Sequence, residues 1–216
     1  MKPMKMAGKV SAMVAAAVAA VTMWGGGTAH ASTNAWGAIE PVSADSYNLF
    51  LGFGPSCLAL NGSDGYYNDH TRVIQWQCTG NDDQQWETRW AGTVYVPGTL
   101  NQRQVYQIVN KKSGKCMEVR DGMHVVDGGN GYLIDQITCA PLNDTFDFSN
   151  QMWEMALSAG GTTREIMPYS SILLGTGECL DVDSGYPYNG TKVQQWACHD
   201  GDNQQFSGAP LNDVYS

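Results

Sequence analysis

The sequence predicts an all-β protein in which one unit is repeated three times, and three observations carry that expectation. Short runs rich in Val, Ile, Tyr and Trp, at 72–77, 93–96, 106–110, 131–138, 165–174 and 191–197, are bounded by clusters of Gly, Asn and Asp. Tight-turn dipeptides punctuate them: Asn61-Gly62, Asp64-Gly65, Asp121-Gly122, Asp127-Gly128 and Asn189-Gly190. The third observation is a recurring pattern of paired cysteines, each pair followed by a glutamine two residues ahead of an aromatic ring.

The third copy is the fullest. Cys179-Leu180-Asp181-Val182 leads through a turn-rich loop at 184–191 to Val193-Gln194-Gln195-Trp196 and Cys198, then to Asn203-Gln204-Gln205-Phe206. The first copy runs from Cys57-Leu58-Ala59-Leu60 through Val73-Ile74-Gln75-Trp76-Gln77-Cys78 to Asp83-Gln84-Gln85-Trp86. The second runs from Cys116-Met117-Glu118-Val119 through Ile134-Asp135-Gln136-Ile137-Thr138-Cys139 to Asn150-Gln151-Met152-Trp153. The leading cysteines lie 59 and 63 residues apart, so the units occupy about 50–100, 101–160 and 161–210. No window holds an amphipathic helix of three turns; 151–158 comes closest.

Ahead of the repeats, residues 1–31 read as an export signal. Lys2, Lys5 and Lys9 precede an apolar stretch at 10–23, and Ala29-His30-Ala31 matches a cleavage site. That stretch is short of the ~20 apolar residues a membrane span needs, so the expectation is a secreted chain with no membrane span. Residues 32–49 read as a lead-in that packs its aromatics on a domain at 50–210 and contributes at most a first strand. Three of the twelve Lys and Arg, and no acid, lie in 1–31; without them nine bases face 21 acids, a formal charge of −12. An acidic chain with scattered bases repels phosphate backbones, which argues against a nucleic-acid partner. All six cysteines follow residue 31, and an even count in an exported chain points to three disulfides with 15 possible connectivities. No two cysteines have zinc-ligand spacing.

Three openings of the Cys-Leu-Asp-Val kind, each closed by Gln-x-Trp or Gln-x-Phe, resemble the ricin B-chain-type lectins. The resemblance extends over 50–208. It implies a β-trefoil, a six-stranded barrel closed at one end by three hairpins, with Trp86, Trp153 and Phe206 meeting in the shared core. If each unit folds alike, as in the family, Cys57 pairs with Cys78, Cys116 with Cys139 and Cys179 with Cys198. The long intervals at 89–103 and 140–150 read as inserted loops.

In this family a unit can hold one shallow sugar pocket. Its parts are an acid two residues after the first cysteine, an aromatic two before the second, and the Asn-Gln ahead of the final ring. The third unit has them all: Asp181, Trp196, Asn203 and Gln204, with Gln194 facing the same cleft and Tyr186 and Tyr188 extending the platform. A carboxylate accepts strong bonds from vicinal hydroxyls, and an indole offers a flat face to a sugar's C–H surface. Alone, Asp181 would read as a turn residue bonded to its own backbone; the joint match favours binding. The first unit has Ala59 and Ile74 in place of the acid and amide, so no useful pocket is expected there. The second has Glu118 but Ile137 in place of the platform.

The histidines after residue 31, His70, His124 and His199, fit no ligand or nucleophile motif, and no hydrolase or phosphate-loop signature occurs. In a calcium loop starting at Asp181, Tyr186 and Lys192 stand where a glycine and an acid belong. The expectation is a lectin without catalysis, metal or cofactor. Its alternatives are a targeting subunit acting with a separate secreted partner chain, a glycan-active enzyme, and a trefoil protease inhibitor. Asn61-Gly62-Ser63, Asn143-Asp144-Thr145 and Asn189-Gly190-Thr191 match the N-glycosylation pattern.

Overall fold

The computed structural model describes residues 36–43, 54–120, 129–142 and 149–212. The leader, Tyr47, Phe50, Phe53, the Asp121-Gly122 and Asp127-Gly128 turns, His124 and Asn143-Asp144-Thr145 lie outside them. Among the described residues there are twelve strands: β1 Glu40–Pro41, β2 Ser56–Leu60, β3 Thr71–Gln77, β4 Trp86–Tyr95, β5 Gln102–Asn110, β6 Cys116–Val119, β7 Ile134–Ile137, β8 Trp153–Leu157, β9 Arg164–Pro168, β10 Glu178–Val182, β11 Thr191–Ala197 and β12 Phe206–Ser207. Tyr169–Leu174 (α1) and Ala209–Asn212 (α2) are short helices, and no described helix is long and apolar enough to cross a membrane.

Six of these strands form a closed barrel. β1 pairs with β12, β12 with β9, β9 with β8, β8 with β5 and β5 with β4. A bridge between Gly37, three residues ahead of β1, and Trp86 at the start of β4 closes the ring. Gly208 lets the chain pass close to β1, since a β-carbon there would collide with the Ala38 carbonyl. The other six strands are three hairpins, β2–β3, β6–β7 and β10–β11, that cap one end. β3 touches both other hairpins, and Leu133 bridges Gln194 to complete the triangle. The fold is a β-trefoil. Its first barrel strand lies upstream of residue 50, and Ile39 beside it is fully buried, so part of the lead-in belongs to the barrel.

The repeated residues explain the repeated structure. Trp86, Trp153 and Phe206 are fully buried and meet in one core with Leu58, Met117 and Leu180. Trp86 Nε1 donates to the Leu58 carbonyl at 2.9 Å and Trp153 Nε1 to the Met117 carbonyl at 3.1 Å, so neither buried indole N–H is orphaned. The glutamine of each Gln-x-aromatic motif holds the residue that follows its unit's second cysteine. Gln84 Oε1 accepts from Thr79 N at 2.6 Å, Gln151 Oε1 from Ala140 N at 2.9 Å and Gln204 Oε1 from His199 N at 2.8 Å. A second set of glutamines ties each unit to another: Gln75 donates to the Tyr186 carbonyl, Gln136 to those of Tyr66 and Asn68, and Gln195 to that of Gly129. Disulfides join Cys57–Cys78, Cys116–Cys139 and Cys179–Cys198, with Cα–Cα distances of 5.1, 4.8 and 5.1 Å.

Two expectations need correction. The interval 89–103, read as an inserted loop, is largely strand: β4 and β5 pair out to Tyr95 and Gln102, with a bulge between Trp90 and Gly92. The run at 165–174 is a strand only to Pro168, which starts α1; Gly175, at φ 68°, then ends the helix in the left-handed conformation that glycine adopts freely. The extended ribbon and α1 bury Val94, Val105, Met152 and Tyr169 as a satellite core.

Candidate functional site

β10 and β11 set Asp181 opposite Gln194 and Cys179 opposite Trp196. Side chains alternate faces along a strand, so Asp181 and Asp183 lie two residues apart along one edge of the hairpin while Leu180 and Val182 enter the core. A short turn at Asp202–Gln204 brings Asn203 and Gln204 against the same carboxylate. Gly201 packs closely ahead of it: a β-carbon there would lie 2.5 Å from His199 Cε1 and 2.8 Å from Asn203 Oδ1, so a side chain would push on both.

Asp181 is 2% exposed and accepts three amide hydrogen bonds. Gln194 Nε2 donates to Oδ1 at 3.1 Å; Asn203 Nδ2 and Gln204 Nε2 donate to Oδ2 at 2.7 and 3.0 Å. His199 Nε2 stands 3.6 Å from Oδ2. Burial pushes the Asp181 carboxyl above its usual range and the Asp183 charge adds to this, against hydrogen bonds from Gln194 and Gln204 and the influence of His199. A carboxylate offers about four acceptor directions. With three taken, Asp181 keeps one acceptor direction, on Oδ1.

Above this floor lies a cleft of about 240 Å³ lined by Asp181, Asp183, Ser184, Gln194, Trp196, His199 and Asn203. Trp196 is 40% exposed and forms one wall. Asp183 Oδ1 accepts from Gln194 Nε2 at 3.3 Å and Ser184 Oγ at 3.2 Å, while Lys192 Nζ lies 3.5 Å from Oδ2. Five predicted residues thus converge, with Gln204 behind the cleft as a support. Tyr186 and Tyr188 do not line it: the Tyr186 carbonyl accepts from Gln75 and Asn189 Oδ1 accepts from Gln77 N, so their loop leans on β3 of the first unit. Sequence reasoning missed Asp183, Ser184 and His199 as lining residues. The period of two after Asp181, and the residue next to Cys198, were the available signals.

The other units diverge at the equivalent positions. In the first, Ala59 pairs with Ile74, Trp76 is 41% exposed, and Asp83 replaces Asn203. A cleft of about 360 Å³ lies there, with Ala59, Ile74 and Trp76 in its lining and Asp83 as its only lining acid. In the second, Glu118 pairs with Asp135 and both are buried. Burial, and then the Asp135 charge, push the Glu118 carboxyl up to about 8.

A family model described as ricin-type beta-trefoil lectin domain-like matches residues 32–131 and 149–216. The chain belongs to this family. Its members are lectin-like, and carbohydrate binding is the function the family implies. No curated protein sequence matches this lectin-like chain. Among solved structures it is similar to ThreeFoil, a designed three-fold symmetric protein, at 21% identity and TM-score 0.57, covering 80% of this chain and 96% of that one. The Macrolepiota procera ricin B-like lectin in complex with lactose matches at 17% identity and TM-score 0.55, covering 82% and 96%. An exo-beta-1,3-galactanase from Clostridium thermocellum matches at 22% identity and TM-score 0.55; the match covers 80% of this chain but only 29% of the enzyme. Likenesses at these identities show the shared trefoil.

Proposed function

We propose that this trefoil is an exported lectin that binds a glycan through its third unit and does not cleave it. The observation that carries the reading is the convergence of Asp181, Gln194 and Asn203 beneath a 40% exposed Trp196. A hydrophilic floor under a flat aromatic wall suits a pyranose, whose hydroxyls lie on its edges and whose C–H groups present an apolar face. The floor is held by amides whose other bonds fix their orientation, so little ordering is needed on binding. The exported location rests on the basic start, apolar run and A-x-A site of residues 1–31.

The galactanase favours one further reading: a domain of this fold there forms part of a larger carbohydrate-active chain. By analogy this chain would target a partner, carried separately, to a polysaccharide. Both readings need the same cleft. The test is a glycan array and calorimetry on the mature protein, with lactose as first probe, beside Asp181→Ala. Loss of binding in that variant supports the cleft, and unchanged binding overturns it.

A further inference from the structure

The second unit has lost its aromatic platform, yet its two central positions hold two carboxyl groups where the third unit has one and the first none. The cross-strand pair is Ala59–Ile74 in the first unit and Asp181–Gln194 in the third, but Glu118–Asp135 in the second. Both carboxylates are at least nine-tenths buried, at 3% and 0% exposure. Like charges directly across a strand pair repel, more so away from water.

His70, from the first unit, enters this pair. Its Nδ1 lies 3.3 Å from Asp135 Oδ2 and 3.5 Å from Glu118 Oε1. The residue just ahead of β3 is the counterpart of Gly190 just ahead of β11. His70 N donates to the Gln136 carbonyl at 2.7 Å and Gly190 N to the Gln75 carbonyl at 2.8 Å. Both positions require the left-handed backbone, φ 64° at His70 and φ 87° at Gly190. Glycine adopts that conformation freely, whereas histidine is strained in it, and such strain persists where a side chain has work to do.

We propose that His70 Nδ1, Glu118 and Asp135 bind a divalent transition-metal ion of the zinc class, with a fourth position open to solvent. Donors about 2.0–2.1 Å from a tetrahedral ion are separated by about 3.4 Å, which is the spacing of the imidazole from each carboxylate. One donor atom from each residue lies within 4.8 Å of the others. An independent observation points to a ligand: Asp135, fully buried, keeps Oδ1 without a hydrogen-bond partner. Its other oxygen is held by Arg120 Nε at 2.5 Å, and the same guanidinium donates from Nη2 to the His70 carbonyl at 2.9 Å. Asn150 Nδ2 holds Glu118 Oε2 at 2.9 Å, leaving Oε1 toward the imidazole. Glu118 thus has one oxygen oriented by an outer donor and the other toward the imidazole, while Asp135 Oδ2 both faces the imidazole and accepts from Arg120, an orienting partner of the kind metal ligands commonly have. One imidazole with two carboxylates suits zinc, cobalt or nickel better than calcium, which prefers oxygen alone. The His70 side chain is 53% exposed, so an ion can enter from solvent.

The experiment uses the intact, disulfide-bonded protein after treatment with a chelator. Zinc chloride is titrated by calorimetry with calcium chloride as the control, and cobalt chloride is followed by visible absorption. The expected result is one zinc per chain, tetrahedral cobalt bands and a zinc-dependent rise in Tm. His70→Gly supplies the residue the backbone prefers, so it should fold at least as well while binding zinc at least tenfold more weakly. Glu118→Gln should also weaken binding, and His199→Ala should not. No saturable zinc binding by the wild type would overturn the site and leave an ion-pair network. Zinc binding that survives in His70→Gly would overturn it as well.

Discussion

Gln204 Nε2 donates to Asp181 Oδ2 and to the Ala197 carbonyl, each at 3.0 Å, while its Oε1 accepts from His199 N at 2.8 Å. One side chain therefore ties the core-forming Gln-x-Phe motif to the floor of the cleft. Gln84 makes the equivalent backbone bonds in the first unit, to the Gln77 carbonyl and from Thr79 N, but meets no acid there. Gln204→Leu removes two part-buried bonds, from His199 N and to the Ala197 carbonyl, at about 2 kcal/mol together, or a Tm lower by about 4–8 °C. It should also loosen Asp181 and weaken glycan binding. Gln84→Leu should destabilise comparably and leave binding unchanged, which melts and titrations on the two variants will show.

Asp181→Ala should fold. Each donor it abandons keeps another acceptor: Gln194 has Asp183 Oδ1 at 3.3 Å, Asn203 the Val182 carbonyl at 3.2 Å and Gln204 the Ala197 carbonyl at 3.0 Å. Loss of one hydrogen bond to a charged acceptor corresponds to ~1.5–3 kcal/mol, so affinity should fall on the order of tenfold to a hundredfold. A near-normal melt with undiminished affinity would show that Asp181 takes no part in binding.

Binding and stability should respond to pH in opposite directions. Burial raises the Asp181 carboxyl above the ordinary aspartate value of 3.8, so the folded state favours the protonated form. Its contribution to stability is full below 3.8 and is lost as pH rises through the folded-state value. The glycan acceptor is the ionised form, so affinity should fall on acidification, beginning above the pH at which an ordinary aspartate titrates. Asp183 and His199 also line the cleft and Lys192 pairs with Asp183, and Asp181→Asn isolates their share. Titration calorimetry across acidic pH on both proteins should show the wild-type limb flattened in the variant.

The three-fold plan was legible because it is written three times. Cysteine spacing, the Gln-x-aromatic motifs and the Asp181, Trp196 and Asn203 set all recur or fail at fixed offsets. What escaped involves contacts between units. His70 meets Asp135 across 65 positions, and no local pattern announces that. The loop carrying Tyr186 and Tyr188 leans on Gln75 of the first unit, and its aromatics do not line the cleft. The β4–β5 ribbon was obscured by its bulge at Trp90 and Gly92, which breaks the alternation a strand otherwise shows.

The first unit allows the sharpest test, because it is a natural variant of the third on the same backbone. Ala59 and Ile74 are opposed as Asp181 and Gln194 are, Trp76 is as exposed as Trp196, and Gln84 stands where Gln204 does. Ala59→Asp with Ile74→Gln restores the floor, but Asp83 would then place a second carboxylate where the third unit has Asn203. Two acids that close disfavour ionisation of either, so Asp83→Asn completes the set. In the triple variant Gln84 Nε2 is placed to bond the new acid as Gln204 bonds Asp181. Calorimetry with the glycan that binds the wild type should give one site per chain for the wild type and two for the triple variant. The Ala59→Asp, Ile74→Gln double variant should give one strong site and a second weakened by repulsion from Asp83. A triple variant that melts like the wild type yet still binds one glycan would show that these residues are insufficient to form the pocket.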